Sequence, residues 1–371
     1  MPASLPATIT ADLPSLPEIS GDDTVVLFPS LGHLDRDGQS WRIAVHGEVF
    51  APGPAGVGKV SMGKRIMLKL LRRAMKVPEE ALECDIFRDR IARFLARDRA
   101  GRQIVVRLGN ATHVLPKASR RNGHFSGAVQ LASGISPPLA TAGCGDATRM
   151  TIDIFSPAGD RLVASGHAFL LPARGVSVIS DIDDTLKHSF VACKRTLLTN
   201  TFLREFEPVA GMAGLFRGWA DAGATFHYVS SSPWQLYRHL AEHLQTQGFP
   251  DGSYHLRAFR LRDHVIGRIL RLRRSGKAAV IRSILKMFPE RKFLLVGDSG
   301  ELDPEIYGAM ARKFPNQVAG IYIRQVGSRG TGPIRYQKAF RGVRYEVVRL
   351  FHESAELIDD PTVANLLQQA H

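Results

Sequence analysis

Val176-Ser-Val-Ile-Ser-Asp181-Ile-Asp183-Asp184-Thr185 is a short apolar, β-branched run that ends in carboxylates at i and i+2 and a hydroxyl at i+4. A run of this kind predicts a buried parallel strand. In an open α/β sheet, ligands gather outside the carboxyl ends of the strands, so these side chains fall where chemistry takes place. Ile182 separates Asp181 from Asp183, which leaves one free to attack while the other handles a proton. A plain strand followed by an acidic turn would read the same way. The case therefore rests on the rest of the chain.

Three further stretches share the pattern. Phe226-His-Tyr-Val-Ser230-Ser231-Ser232-Pro233-Trp234 is a strand ending in hydroxyls just ahead of a helix, a place that offers donors to an anion. Lys292-Phe-Leu-Leu-Val-Gly297-Asp298-Ser299-Gly300-Glu301-Leu302-Asp303 is a strand ending in carboxylates, with Gly297 and Gly300 letting the loop turn sharply. Lys277 opens a helix whose Val280, Ile281, Ile284 and Leu285 can pack on a sheet. Collected at one sheet edge, these residues meet the needs of phosphoryl transfer. Asp181 and Asp298 can hold Mg²⁺, a hard cation that prefers oxygen. Ser230 and Lys277 can bind phosphoryl oxygens. Asp181 is then a carboxylate nucleophile giving an aspartyl-phosphate, and Asp183 its general acid/base.

The ordered set Asp181-x-Asp183-x-Thr185, Ser230, Lys277 and Gly297-Asp298 with Asp303 resembles the four motifs of the haloacid-dehalogenase (HAD-like) superfamily of phosphatases. The wording Ser180-Asp-Ile-Asp-Asp-Thr-Leu-Lys187, Tyr228-Val-Ser-Ser-Ser-Pro-Trp-Gln-Leu-Tyr237 and Phe293-Leu-Leu-Val-Gly-Asp-Ser-Gly-Glu-Leu-Asp-Pro-Glu-Ile-Tyr307 is similar to the actin-patch-associated type of phosphatidate phosphatase. The resemblance covers about 176–326, and more weakly the β-rich region before it. It implies a Mg²⁺-dependent phosphatase on a Rossmann-like core. Asp181 matches the nucleophile, and Asp183 the acid/base and a metal ligand through its backbone carbonyl. Asp298 matches the remaining ligand and Asp303 the carboxylate supporting the metal site. Ser230 and Lys277, with Thr185, match the phosphate binders.

The expected architecture is α/β: a HAD-like Rossmannoid core with a parallel sheet and a small cap, preceded by a β-rich, sandwich-like domain. Upstream, Thr24–Phe28, Trp41–Phe50, the Phe125–Leu131 region, Met150–Ile154 and Leu162–Leu170 alternate with the period of strands. Ile43, Val45 and Val49 should face the core, with Arg42, His46 and Glu48 opposite. These strands place an accessory domain over 23–172, after a flexible segment over 1–22. The catalytic domain follows over 173–371, and its first break is Leu171-Pro-Ala-Arg-Gly175. Downstream, helices are expected over Gly211–Gly223, Pro233–Gln247, Lys277–Phe288 and Asp303–Phe314, with strands over Thr225–Val229, Lys292–Val296 and Val318–Ile323. The stretch from Tyr336 onward is expected to be partly helical. The basic run from Tyr254 to Arg274 is long for a plain connection and is expected to form a cap, about 249–275.

With 371 residues the chain is long enough for two full cores. Its net charge of +14 favours an anionic partner: a phosphorylated substrate, an anionic phospholipid surface or nucleic acid. The sparse aromatics, 8%, offer no evident base-stacking platform, so nucleic acid is the less favoured of these. Cys84, Cys144 and Cys193 are odd in number and far apart, which excludes a disulfide framework and predicts a reducing, cytoplasmic setting. The first 22 residues lack a basic start and an apolar run, so no signal peptide is expected, and no stretch is apolar enough to span a bilayer. Membrane contact would then be peripheral, through the cap and the helix over 64–76. That helix sets Arg65, Lys69, Arg72, Arg73 and Lys76 against Ile66, Met67, Leu70, Leu71 and Ala74. The competing reading is a helix packing its apolar face on its own domain, and the same holds for the second basic run, Arg88, Arg90, Arg93, Arg97 and Arg99.

Several motifs carry weaker alternatives. Gly297-Asp-Ser-Gly300 would suit a serine protease only on an all-β scaffold. His239 and His243, at i and i+4, lack a third metal ligand. Ser231 and Ser232 are expected to cap the helix that follows, although Ser231 competes with Ser230 as the phosphate binder. His188 is expected to be structural, and Asp184, on the variable motif position, is a turn residue. The function expected is hydrolysis of phosphatidate to diacylglycerol. The alternatives are a phosphatase for a soluble ester or nucleic-acid end, and a non-catalytic module that binds anionic surfaces.

Overall fold

The computed structural model describes residues 19–35, 37–53, 61–132, 140–142, 144–156, 161–258, 274–327 and 332–368. Ten strands come first: β1 (Thr24–Leu27), β2 (Ser30–Leu34), β3 (Ser40–Ala51), β4 (Arg97–Asp98), β5 (Val105–Leu108), β6 (Ala111–Val114), β7 (His124–Ala132), β8 (Ala140–Ala142), β9 (Thr148–Phe155) and β10 (Leu162–Leu171). They form one sheet in the order β1-β3-β2-β10-β9-β5-β6, with β4 and β7 also on β3 and β8 on β9. The period-two reading of β3 holds on its inner face, where Ile43, Val45 and Val49 are buried with Val129, Met150, Ile152 and Ile154. It fails at Glu48, which is also buried. The reason is a helix over the outer face. Arg93 closes a bidentate pair onto Glu48 at 2.9 and 2.7 Å.

That helix is part of the excursion between β3 and β4, made of α1 (Met62–Met75) and α2 (Asp85–Leu95). The inner face of α1 is Met67, Leu68, Leu71 and Met75; Ile66, expected on that face, is half exposed. This face does not pack on its own sheet. Its apolar residues join one core with Leu198, Phe202, Trp234 and Leu236 from the parallel-sheet half. Arg65, Lys69, Arg73 and Lys76 stay exposed, while Arg72 pairs with Glu79 at 2.8 Å. The second basic run is only partly a solvated face: Arg88 and Arg97 are exposed, whereas Arg90, Arg93 and Arg99 are not. Arg90, 5% exposed, donates to the carbonyls of Asn200, Thr201 and Arg204. Arg99 pairs with Asp23 at 2.7 Å. Arginine's rigid fork suits such cross-links between elements.

The second sheet contains β11 (Val176–Ser180), β12 (Thr225–Pro233), β13 (Gly252–Arg257), β14 (Lys292–Asp298), β15 (Val318–Arg324) and β16 (Val348–Phe351). Its order is β13-β12-β11-β14-β15-β16, and every neighbouring pair is parallel. Its helices are α3 (Lys194–Phe202), α4 (Met212–Asp221), α5 (Tyr237–Thr246), α6 (Arg274–Met287), α7 (Asp303–Lys313), α8 (Pro333–Ala339) and α9 (Pro361–Gln368). Both faces are covered: Val178, Leu294 and Val296 belong to the core with α3, α4 and α5, and Ile179, Leu295 and Ile323 to the core with α6 and α7. Double burial explains why these strands read as unbroken apolar runs. From β11 the order runs one way through β12 and β13 and the other way through β14, β15 and β16. The carboxyl end of β11 is therefore a topological switch point, the place where open α/β sheets bind ligands.

Two expectations change here. Gly252–Arg257 is the edge strand of the parallel sheet, not the start of a cap; most of the remaining cap stretch, 259–273, lies outside the described residues. The segment 1–18 lies outside them too. The helix expected from Pro233 begins at Tyr237, because β12 runs on through Ser232 and Pro233 and a short 3₁₀ turn, Trp234–Leu236, intervenes. The three cysteines are free thiols. Among the described residues, no helix is long and apolar enough to cross a membrane.

Candidate active site

Asp181 follows β11 directly, and its amide donates to the Val296 carbonyl of β14 at 2.9 Å. Asp298 ends β14, and Asp303 begins α7. Parallel pairing of Ser180 with Val296 puts the ends of β11 and β14 side by side. As a result, one carboxylate oxygen from each of Asp181, Asp298 and Asp303 lies within 4.8 Å of the others, and all three residues are buried. Lys277, on α6, is the only lysine facing this cluster among the described residues. Its Nζ is 2.7 Å from Asp181 Oδ1, also binds Asp303 Oδ1, and lies 3.9 Å from Glu301 Oε2. Asp298 Oδ1 accepts the amides of Gly300 and Glu301, whereas its Oδ2 is buried without a partner.

Four carboxyl groups thus face one ammonium. Burial, with Asp303, Glu301 and Asp298 adding to it, pushes the Asp181 carboxyl well above the usual range despite Lys277. Burial does the same at Asp298, helped by Asp303 and Glu301. The Glu301 carboxyl, buried beside Asp303, rises to about 7 although Lys277 opposes the shift. Burial opposes the charged form of Lys277, but Asp181 and Asp303 outweigh it and hold its ammonium on. A buried, unpartnered oxygen among excess carboxylates is the environment expected of a hard-cation site with oxygen donors.

Asp183 points elsewhere. Its Oδ1 accepts from Lys187 Nζ and Ser189 Oγ, each at 2.7 Å, and its Oδ2 from Ser230 Oγ at 3.0 Å and Ser232 Oγ at 2.8 Å. Burial alone would raise this carboxyl, but Lys187 and the hydroxyls of Ser189 and Ser232 outweigh it and hold it well below the usual range. Its side chain is therefore outside the carboxylate cluster that Asp181, Asp298 and Asp303 form. Ser232 is a partner of Asp183, not a cap, and neither it nor Ser231 caps the following 3₁₀ turn. Ser231 Oγ reaches Glu301 at 3.5 Å. Thr185 Oγ1 is 3.4 Å from Asp181 Oδ2.

Asp184 does more than turn the chain. At φ 58° it enters the left-handed region, and its carboxylate accepts the amides of Ser189, Phe190 and Val191, each at 2.7 Å. It pins the loop that follows the motif. Gly297 has an ordinary φ; a Cβ there would lie 2.2 Å from Asp303 Oδ2, so the glycine provides room for the carboxylate rather than a sharp turn. His239 bonds to Asp89 at 2.9 Å and His243 packs edge-on to Phe206, so the pair stands apart from the carboxylates. His188 is half-buried beside the motif, and its amide donates to Glu207.

Lys187, Ser189 and Glu301 are the site residues that motif spacing does not single out. A lysine at i+4 from Asp183 is the one available signal. Lys187→Met is expected to raise the Asp183 carboxyl and move the acidic limb of kcat/KM to higher pH. With three hydroxyls left on Asp183, the stability loss should stay near 1–3 kcal/mol. An acidic limb that does not move would show that Lys187 has no hold on Asp183.

Residues 176–325 match the family model described as "Phosphatidate phosphatase APP1, catalytic domain". An uncharacterized protein of Schizosaccharomyces pombe is 33% identical over 184 residues, which are 48% of this chain and 30% of that protein. Phosphatidate phosphatase APP1 of Saccharomyces cerevisiae is 38% identical over 154 residues, 40% of this chain and 26% of the yeast protein. The matches thus cover less than a third of either relative. A solved β-glucuronidase of Parabacteroides merdae aligns with 82% of this chain and 34% of its own at 9% identity, but a TM-score of 0.26 carries no argument. Through residues 176–325, which hold every carboxylate of the cluster and its lysine, this chain is similar to the catalytic domain of the APP1-type phosphatidate phosphatases.

Proposed function

We propose that this chain is a Mg²⁺-dependent phosphatase that hydrolyses phosphatidate to diacylglycerol through an aspartyl-phosphate, working peripherally at an anionic membrane surface. The observation that carries this reading is the buried trio Asp181, Asp298 and Asp303 with its unpartnered Asp298 oxygen. A structural ion-pair network would balance its charges, and this one does not. Asp181, Asp298 and Asp303, with the Asp183 carbonyl, would hold Mg²⁺. The ion would supply the positive charge that lets the carboxylates ionise together and neutralises the phosphoryl oxygens.

In the proposed reaction Asp181 Oδ2, the oxygen not bound to Lys277, attacks phosphorus while the bond to the alcohol oxygen breaks. Lys277, Ser230 and Thr185 would orient the phosphoryl group. Ionised Asp183 then takes a proton from water, which attacks the aspartyl-phosphate and releases inorganic phosphate. The depressed Asp183 carboxyl is ionised, as this second half needs, although Lys187 and its hydroxyl partners also weaken it as a base. In the first half Asp183, protonated once its contact with Lys187 loosens, gives its proton to the leaving oxygen and so becomes the ionised base of the second half. The exposed Arg65, Lys69, Arg73 and Lys76 of α1, with exposed Met62 and Ile66 on the same helix, support the surface contact.

The test is release of phosphate by the purified chain with Mg²⁺ or with a chelator. The substrates are phosphatidate in mixed micelles, soluble phosphomonoesters and 5′-phosphorylated oligonucleotides. Mg²⁺-dependent turnover with phosphatidate preferred is expected. Preference for a soluble ester or an oligonucleotide end would overturn the lipid assignment, and no turnover of any substrate would favour a non-catalytic binding module.

A further inference from the structure

A cavity of about 190 Å³ opens from the carboxylate end of the parallel sheet. Asp183, Ser231, Ser232 and Glu301 line its inner end. Beyond them its walls change character: Met67 and Leu71 of α1, Phe94 of α2, and Leu198, Thr201 and Phe202 of α3. Two of these three helices lie in the accessory half of the chain, inserted between β3 and β4, far from any motif residue in sequence.

We infer that this cavity takes the apolar substituent of the phosphoester, as a single alkyl or acyl chain, and that α1 and α2 make the accessory half a specificity-determining part of the site. The inference rests on the phosphatase reading of the carboxylates. Continuity is the first argument. Ser232 and Ser230 both bond to Asp183 Oδ2, so a phosphoryl group bound among Ser230, Lys277 and Asp181 has the cavity beside it. Chemistry is the second. Lys194, Thr201 and Arg257 also line the cavity, but a substituent lying against Met67, Leu71, Leu198, Phe94 and Phe202 meets a continuous apolar wall. Such a wall stabilises a hydrocarbon chain by burial more than it does a polar alcohol. Size is the third. Pockets that engulf whole drug-sized ligands measure roughly 300–1,000 Å³, so this one admits part of one chain and leaves the rest of a lipid outside. The fourth is the placement of α1, whose inner face lines the cavity while its outer face carries Arg65, Lys69 and Arg73 in the solvent.

The experiment measures kcat/KM of the full chain with Mg²⁺ on n-alkyl phosphates of two to twelve carbons, all held monomeric. Wild type should gain about two- to fourfold per methylene until the cavity is filled, then reach a plateau. Leu71→Trp fills the α1 wall and should lower the ratio of octyl to ethyl phosphate at least about tenfold. Leu71 is fully buried and its variant can fail to fold, which melting by circular dichroism would reveal. Thr201→Trp, at a half-buried position on the α3 wall, is then the deciding variant, with the same drop in ratio expected. Turnover of ethyl phosphate with no gain on lengthening, or a gain untouched by the folded tryptophan variant, overturns the pocket assignment alone. No turnover of any ester by wild type overturns both the assignment and the phosphatase reading beneath it.

Discussion

Asp181→Asn is expected to lower kcat by at least about 10⁴-fold, the scale on which removal of a catalytic nucleophile is felt. The fold should survive, and in the absence of divalent cation it should be more stable than wild type at neutral pH. Burial and the neighbouring carboxylates raise the folded-state pKa of Asp181 above the ordinary value of 3.8. In the folded chain the group keeps a proton at pH values where the unfolded chain has already lost it. Its contribution to stability is therefore full below about 3.8 and is lost as pH rises through the raised folded value. Asparagine cannot ionise and escapes that loss. The Tm of metal-free wild type should fall more steeply with pH than that of the variant, and Mg²⁺ should raise the wild-type Tm further. Retention of even a hundredth of wild-type kcat would remove Asp181 from the role of nucleophile. Equal pH slopes of Tm would show that its carboxyl is not the strained one.

Arg291→Met is expected to destabilise the chain by about 3–5 kcal/mol, because it leaves a carboxylate and several carbonyls without their donor. Arg291 is fully buried at the place where one sheet gives way to the other. Its guanidinium makes a bidentate pair with Asp146 at 2.8 and 2.8 Å. It also donates to the carbonyls of Pro172, Arg174 and Val176 and to the hydroxyls of Ser177 and Thr225. All five N–H donors are used, so Arg291→Lys, with a single ammonium, should recover little. A drop in Tm of roughly 5–15 °C is the expected reading. The fraction that remains folded should keep its kcat, since Arg291 touches none of the carboxylates at the opposite strand ends. A Tm within a degree or two of wild type would show that the apolar contacts between the two halves suffice without this arginine.

The four inner strands of the parallel sheet are legible in the sequence because double burial leaves a signature that needs no partner to be recognised: Val176–Ser180 and Phe293–Val296 read as apolar runs, and each ends in carboxylates. The edge strands Gly252–Arg257 and Val348–Phe351 are not legible. The accessory strands are partly legible. Those with clean alternation, β3, β7, β9 and β10, show in the pattern, while β2, β5 and β6 do not. The hidden strands have four or five residues, too short for a period to show against neighbouring loops. The α2 helix is masked by its arginines. Arg90 and Arg93 read as a solvated basic run, and only their distant partners, the carbonyls at the end of α3 and the carboxylate of Glu48, make them interior residues.

From sequence alone came the identities of the carboxylates, the lysine and the serine that the strand ends present, because short-range spacing settles which residues leave a strand at its carboxyl end. Tertiary structure decided how those groups divide. Asp181, Asp298 and Asp303 converge because β11 and β14 are adjacent and parallel. Asp183 is drawn away to Lys187, Ser189, Ser230 and Ser232, and Asp184 is turned to hold a loop. Packing between sequence-distant helices also decided what stands beside the site. The wall of Met67, Leu71 and Phe94 exists only because α1 and α2 bury their apolar faces against α3, a long-range contact that no local pattern encodes.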